Sequence, residues 1–143
     1  MGMNIDDLRK KVYEANMELV ERGLVIYTWG NVSAIDREAG VVAIKPRGIE
    51  YADLEWQDIS VTDLDGNAVD DNPLLPSVDL DYHLAVYKGF KDVGGMAHTH
   101  SVYATVFAQA LKDIPCLGTT HADHFHGDIP CLPYLPEKAV KEN

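Results

Sequence analysis

Two histidines one residue apart, His98 and His100 in Ala97-His98-Thr99-His100, are the sharpest chemical feature of the sequence. On a strand, side chains at i and i+2 leave the same face, so this pair can present two imidazoles to one divalent ion. A solvated or hydrogen-bonded pair is the alternative the spacing leaves open. Company strengthens the metal reading. Asp79 precedes the pair at the start of a helix, and His121, Asp123, His124 and His126 follow it in a loop. So many titratable rings in one region repel each other on protonation unless something shares their lone pairs.

The second chemical stretch is Gly118-Thr119-Thr120-His121-Ala122-Asp123. Small and hydroxyl-bearing residues leading to an acid suit a general acid/base, whose carboxylate must be held locally yet stay open to a ligand. The plainer alternative is an Asx-type turn in which Asp123 bonds its own backbone. Two more stretches suit an anion. Gly30-Asn31 follows Trp29, and Lys45-Pro46-Arg47-Gly48 sets two cations and a glycine just past a strand end. Glycine lets backbone N–H groups approach a phosphate, and the cations supply charge. A tight turn with solvated cations is the competing account.

These residues need a scaffold, and the patterning supplies one. Asn4 caps a helix whose apolar positions Ile5, Leu8, Val12, Ala15 and Leu19 recur at helical spacing until Gly23. Short β-rich stretches are expected at Leu24–Thr28, Asn31–Ile35 and Val41–Lys45, with Arg37 to Gly40 as turn chemistry making the last two a hairpin. Ile59–Leu64 alternates and ends at Asp65-Gly66, a two-residue hairpin signal that predicts a further strand pair. Ser77 is placed to cap a helix through His83, Leu84 and Tyr87 to about Phe90. Met96–His100 reads as a strand after Gly94-Gly95, and Ser101 caps a helix through Val106 to Leu111. The remainder is rich in Pro, Gly and His.

Composition narrows the partners. The chain of 143 residues carries 12 Lys and Arg against 23 Asp and Glu, a formal charge of −11. A nucleic-acid backbone or an anionic membrane is therefore not expected as a partner, and an anionic ligand needs a local cluster of donors. No apolar run approaches a membrane span. Cys116 and Cys131 lack CxxC spacing, and no apolar leader precedes the first helix, so a cytoplasmic, reducing setting is expected. One domain over residues 1–143 is the expectation from length.

The order of the motifs is that of a known family. Glu14-Ala15-Asn16, Thr28 to Arg37, Ile44-Lys45-Pro46, Gly94-Gly95, His98-Thr99-His100-Ser101, Gly118 to Asp123 and Asp128-Ile129-Pro130-Cys131 resemble the L-ribulose-5-phosphate 4-epimerases of the class II aldolase family. The likeness runs over essentially the whole chain. It implies an α/β fold with a central, mostly antiparallel β-sheet flanked by helices, and a homotetramer with active sites between subunits. It implies Zn2+ or another divalent metal such as Mn2+ at His98 and His100, with Asp79 as a metal-proximal carboxylate, and Asp123 as the catalytic acid/base. Gly30, Asn31, Lys45, Arg47, Gly48, Ser77 and Val78 occupy the places that hold the substrate and its phosphate. The implied substrate is a small phosphorylated ketose. The implied reaction interconverts L-ribulose 5-phosphate and D-xylulose 5-phosphate by retro-aldol cleavage and re-addition, inverting C4.

Arg47 and Val78 stand where the family carries serines, and Leu80-Asp81-Tyr82 replaces its Thr-Pro-Thr run. The chain also ends short of the family's usual length, before its third histidine ligand and its tyrosine acid/base partner. The expectation is an N-terminal portion in which a helix starts at Glu137–Glu142. An aldolase-type lyase on another small ketose, or a non-catalytic assembly module, are the other readings.

Overall fold

A computed structural model describes residues 4–134 of the chain, so the helix expected at Glu137–Glu142 lies outside the described residues. The first helix, α1 (Ile5–Glu21), starts where the Asn4 side chain accepts the Asp6 N–H at 3.2 Å, as its cap position predicts. Leu8, Val12 and Leu19 form its buried stripe, and Asn16 is buried among them. Asn16 docks the helix. Its Oδ1 accepts the Val32 N–H at 2.9 Å, while Nδ2 donates to Val12 O at 2.7 Å and Val32 O at 3.1 Å. With its amide satisfied on both sides, the buried polar group sets the register of helix on strand at little cost.

The strand that receives it is β1 (Asn31–Asp36), which pairs with β2 (Val41–Ile44) across the expected hairpin. Asp36 Oδ1 closes that turn by accepting the Glu38 and Ala39 N–H groups at 2.9 and 3.0 Å. With β3 (Ser60–Asp63) and β4 (Gly95–His98) the sheet has the order β3-β2-β1-β4, and every neighbouring pair is antiparallel.

Both faces of β2 are covered, which explains why it reads as an unbroken apolar run. Val41 and Ala43 pack with Leu8, Val12, Tyr51, Leu54, Ile59 and Val61 on the α1 side. Val42 and Ile44 point the other way, into Leu80, Leu84 and Tyr87 of helix α2 (Leu80–Gly89). Burying each such side chain contributes about 1.5 to 3 kcal/mol. Arg37 pins the far end of α2, donating to Tyr87 O, Phe90 O and Val93 O at 3.3, 2.8 and 2.8 Å. A guanidinium there meets carbonyls that have no partner inside the helix.

Four local expectations are corrected. Leu24–Thr28 is not a strand: Trp29 N–H bonds back to Ile26 O at 3.1 Å and Tyr27 has φ +54°, so the segment curls before β1 begins. After Asp65-Gly66 the return strand shrinks to a bridge between Thr62 and Ala68, because Asp63 draws in the Asp65 and Asn67 N–H groups and the Asn67 amide. The cap position of α2 is Asp79, not Ser77, whose hydroxyl instead accepts the Asp79 N–H at 3.2 Å. Lastly, β4 stops at His98, because its partner β1 begins at Asn31 and nothing beyond continues the ladder.

Thr99 and His100 mark the boundary between two compact units, Met1–Thr99 and His100–Asn143. The second contains helix α3 (Val102–Gln109) and the single turn α4 (Thr119–Ala122). An Ile114–Ile129 bridge is flanked by two reciprocal clasps, Asp128 accepting the Cys116 N–H at 2.8 Å and Asp113 the Cys131 N–H at 2.7 Å. Both cysteines are free thiols. No helix among the described residues is long and apolar enough to cross a membrane.

Candidate functional site

A short antiparallel contact between Pro46 and Pro76 brings two of the singled-out stretches together. Arg47 N–H donates to Leu75 O at 3.0 Å and Ser77 N–H to Lys45 O at 3.1 Å. The loop after β2 thus lies against the loop before α2, and Asn31 at the start of β1 reaches the second of them. Its Nδ2 donates to Asp79 Oδ2 at 2.7 Å and to Ser77 Oγ at 3.2 Å. The sheet register then sets His98 opposite Asn31, which brings His98 Nδ1 to 3.0 Å from the same Asp79 oxygen.

Asp79 is the hub. One carboxylate oxygen gathers Asn31, Ser77 and His98 from three separate segments. Burial works to raise its pKa, but the hydrogen bonds from Asn31, His98 and Ser77 together hold it below the ordinary carboxylate value. It therefore stays anionic, a fixed negative charge in partly buried surroundings. A carboxylate on Nδ1 also orients an imidazole, with Nε2 as the nitrogen that ligates a metal. The donor chemistry at His98 fits a divalent ion. Among the described residues no three His, Cys, Asp or Glu side chains converge into a ligand set.

Gly30, the residue before Asn31, has φ +95°, and a Cβ there would come within 2.8 Å of both His98 O and Val25 Cγ1. Only glycine lets the chain pass here. Tyr51 holds the same residue from the other side, its hydroxyl donating to Gly30 O at 3.0 Å, and burial pushes that phenol up to about 12. Tyr51 carried no signal in the sequence, since an aromatic in a polar loop has many uses. Lys45 packs its ammonium over the Tyr51 ring at 4.8 Å and donates to Ile49 O at 2.6 Å. It is 2% exposed, and burial pushes its pKa down against the opposing pull of Glu50. Arg47 and Gly48 are exposed, with Arg47 Nε 3.3 Å from Pro76 O, and the Val78 side chain is 69% exposed.

In the second unit His100 and Asp123 are exposed. Because β4 ends at His98, the strand-face argument for the histidine pair does not extend to His100. Asp123 terminates α4, donating its N–H to Thr119 O at 2.8 Å. Its carboxylate makes no hydrogen bond among the described residues, so the Asx-turn alternative does not describe it. His121 is tied to Gly127 O at 2.9 Å and packs edge-on against Phe125. An apolar groove of about 580 Å³ along α3, lined by Phe107, Leu111, Ile114, Ile129 and Cys131, offers little to a charged sugar.

Comparison with known proteins places this fold. The model of the class II aldolase and adducin N-terminal domain matches residues 10–143. The chain belongs to that family. Among its relatives are the L-ribulose-5-phosphate 4-epimerases UlaF of Salmonella paratyphi B and Salmonella typhi, each 52% identical over 134 residues and 94% of this chain. The chain spans 58% of the length of these relatives. Among solved structures, an L-fuculose 1-phosphate aldolase aligns with TM-score 0.72 and 35% identity, over 77% of this chain and 51% of its own. YgbL from Klebsiella pneumoniae aligns with TM-score 0.75 and 28% identity, over 95% and 66%. The class II aldolase fold expected from the motifs is the one observed.

Proposed function

We propose that this chain carries the substrate- and metal-holding part of a sugar-phosphate 4-epimerase that interconverts L-ribulose 5-phosphate and D-xylulose 5-phosphate. The observation that carries the reading is the convergence of Asn31, Ser77 and His98 on one Asp79 oxygen. The 52% identity to named epimerases supports the choice of reaction.

Residue roles follow from the chemistry. His98 and His100 would hold a divalent ion, zinc or manganese, and Asp79, bonded to His98 Nδ1, would keep that ring oriented for it. When bound, such an ion supplies Lewis acidity to the sugar carbonyl. Gly30, Asn31, Ser77 and the Val78 backbone line the sugar, while Lys45, Arg47 and Gly48 form the phosphate end. Lys45 contributes mainly by tying down its own loop, and Arg47 is the cation with room to pair bidentately with a phosphate. Retro-aldol cleavage requires that the C4 hydroxyl lose its proton as the C3–C4 bond breaks and regain it on re-addition. Asp123, with no hydrogen bond holding its carboxylate among the described residues, is the group assigned to that transfer. The working form is a cytosolic homotetramer.

A cleavage reading stands beside this one because of the 35% identity to L-fuculose 1-phosphate aldolase. One experiment separates them: incubate the protein and zinc with L-ribulose 5-phosphate and follow the products by NMR. D-xylulose 5-phosphate is the expected product. Accumulation of a free two-carbon aldehyde phosphate selects the lyase instead. A substrate that is neither converted nor bound overturns both.

A further inference from the structure

Two buried polar atoms beside the Asp79 hub have no hydrogen-bond partner among the described residues, and they are complementary. One is Asn31 Oδ1, an acceptor. Its amide cannot be turned round, because the other end donates to the Asp79 carboxylate at 2.7 Å and an oxygen there would face carboxylate lone pairs. The second atom is His83 Nε2, in a ring with 0% exposure.

The proton on that ring can be placed by counting hydrogens. Ser33 Oγ lies 2.6 Å from the Tyr87 hydroxyl and 2.6 Å from His83 Nδ1, and all three side chains are buried. If Tyr87 donates to Ser33 and Ser33 donates to His83 Nδ1, both hydroxyl hydrogens are used, and only the ring's own proton, on Nε2, is left to be satisfied. The reverse direction strands both the Tyr87 hydrogen and an Nε2 lone pair in the interior. Burial favours the uncharged ring, against the pull of the Asp79 charge. His83 Nε2–H is therefore a donor.

The scaffold places the residues that carry donor and acceptor on neighbouring positions of one strand and one helix. Asn31 and Ser33 are alternate residues on one face of β1, roughly 6.5 to 7 Å apart. Asp79 and His83 are one helical turn apart, His83 N–H bonding to Asp79 O at 3.2 Å. Asn31–Asp79 and Ser33–His83 are thus adjacent rungs between the same strand and the same helix. No direct bond joins the two orphaned atoms, and a water is the small partner that can accept from one and donate to the other.

We propose a built water site between these two atoms, in which one internal water accepts the His83 Nε2–H and donates to Asn31 Oδ1. His83 is then a positioning residue: through the water it fixes the Asn31 amide that clamps Asp79, and so links the Tyr87–Ser33–His83 chain to His98. The water site stands on this geometry alone, and its consequence for catalysis rests on the function proposed above.

Imidazole-resolved 15N NMR of the unaltered protein tests the tautomer. The expected spectrum shows a protected Nε2–H, an accepting Nδ1, and a magnetisation-transfer peak from Nε2–H to a long-lived water. A crystal structure at high resolution places that water within hydrogen-bond reach of both atoms. His83→Gln keeps a donor near the Nε2 position and retains the water. His83→Asn keeps only the end facing Ser33, loses the water, and speeds exchange of the Asn31 side-chain amide by roughly tenfold. An Nδ1–H tautomer, no water contact in the unaltered protein, or a water that survives His83→Asn overturns the proposal. Should either variant fail to fold, the unaltered protein's spectrum and structure still decide. Loss of the epimerase reading with the water in place would overturn that reading alone.

Discussion

Replacing Gly30 by alanine tests how tightly the site is built, because the new Cβ meets two different obstacles. At φ +95° any L side chain is strained, which costs about 1 to 2 kcal/mol. The added carbon also lands 2.8 Å from His98 O and 2.8 Å from Val25 Cγ1. The valine methyl can rotate away, but the His98 carbonyl belongs to a strand paired with Asn31 and moves only if β4 moves. Crowding of this kind costs about 1 to 3 kcal/mol, so the two together come to about 2 to 5 kcal/mol. Gly48→Ala is the internal control: its φ is +74° with nothing within 4 Å of the added carbon, so only the first cost applies. Urea unfolding at equilibrium reads both variants. The expected result is a lower midpoint for Gly30→Ala than for Gly48→Ala with similar slopes. Two variants within about 0.5 kcal/mol of each other would refute the close-approach argument, since that lies below the smallest crowding cost.

Three further outcomes are expected. Changing both His98 and His100 to alanine should abolish bound zinc with the far-ultraviolet dichroism preserved, because catalytic metals contribute less to folding than closed structural sites; unchanged metal stoichiometry refutes the ligand assignment. Arg47→Ala should weaken inorganic phosphate or substrate binding by about 1.5 to 3 kcal/mol in calorimetry, and equal binding would show a guanidinium that serves only solvent. Tyr51 should titrate near 12, and because the fold holds its proton more tightly than the unfolded chain does, the stability it adds is complete below pH 10 and fades as pH rises toward 12. The 295 nm titration of Tyr51→Phe should lose that late phase, and an unchanged curve contradicts the burial argument.

Features local to the chain are legible in the order of residues. The Asn4 cap and apolar stripe of α1, the Asp36 turn between β1 and β2, and the uninterrupted run of β2 each follow from spacing within a few residues. The motif order also carries the family. Strand ends are less legible, because an edge is decided by its neighbour: His98 closes β4 only since Asn31 opens β1, and Leu24–Thr28 has strand-forming residues but no partner. The family resemblance names the hub's members Asn31, Ser77, Asp79 and His98, but their contacts are beyond reach for the same reason. Asn31 lies 46 and 48 positions from Ser77 and Asp79, His98 comes from a further segment, and no periodicity links them. Their meeting depends on the β1–β4 register and on the Pro46–Pro76 contact, both products of packing across the sheet. The Tyr87–Ser33–His83 chain is the same case, with residue types that are common singly and become specific only when burial leaves each hydrogen a single place to go. The sequence by itself determined the elements and the chemical types available, because those depend on neighbours along the chain. Which groups meet, and in which protonation and orientation, was decided by tertiary structure, because only there are distant side chains taken out of water together.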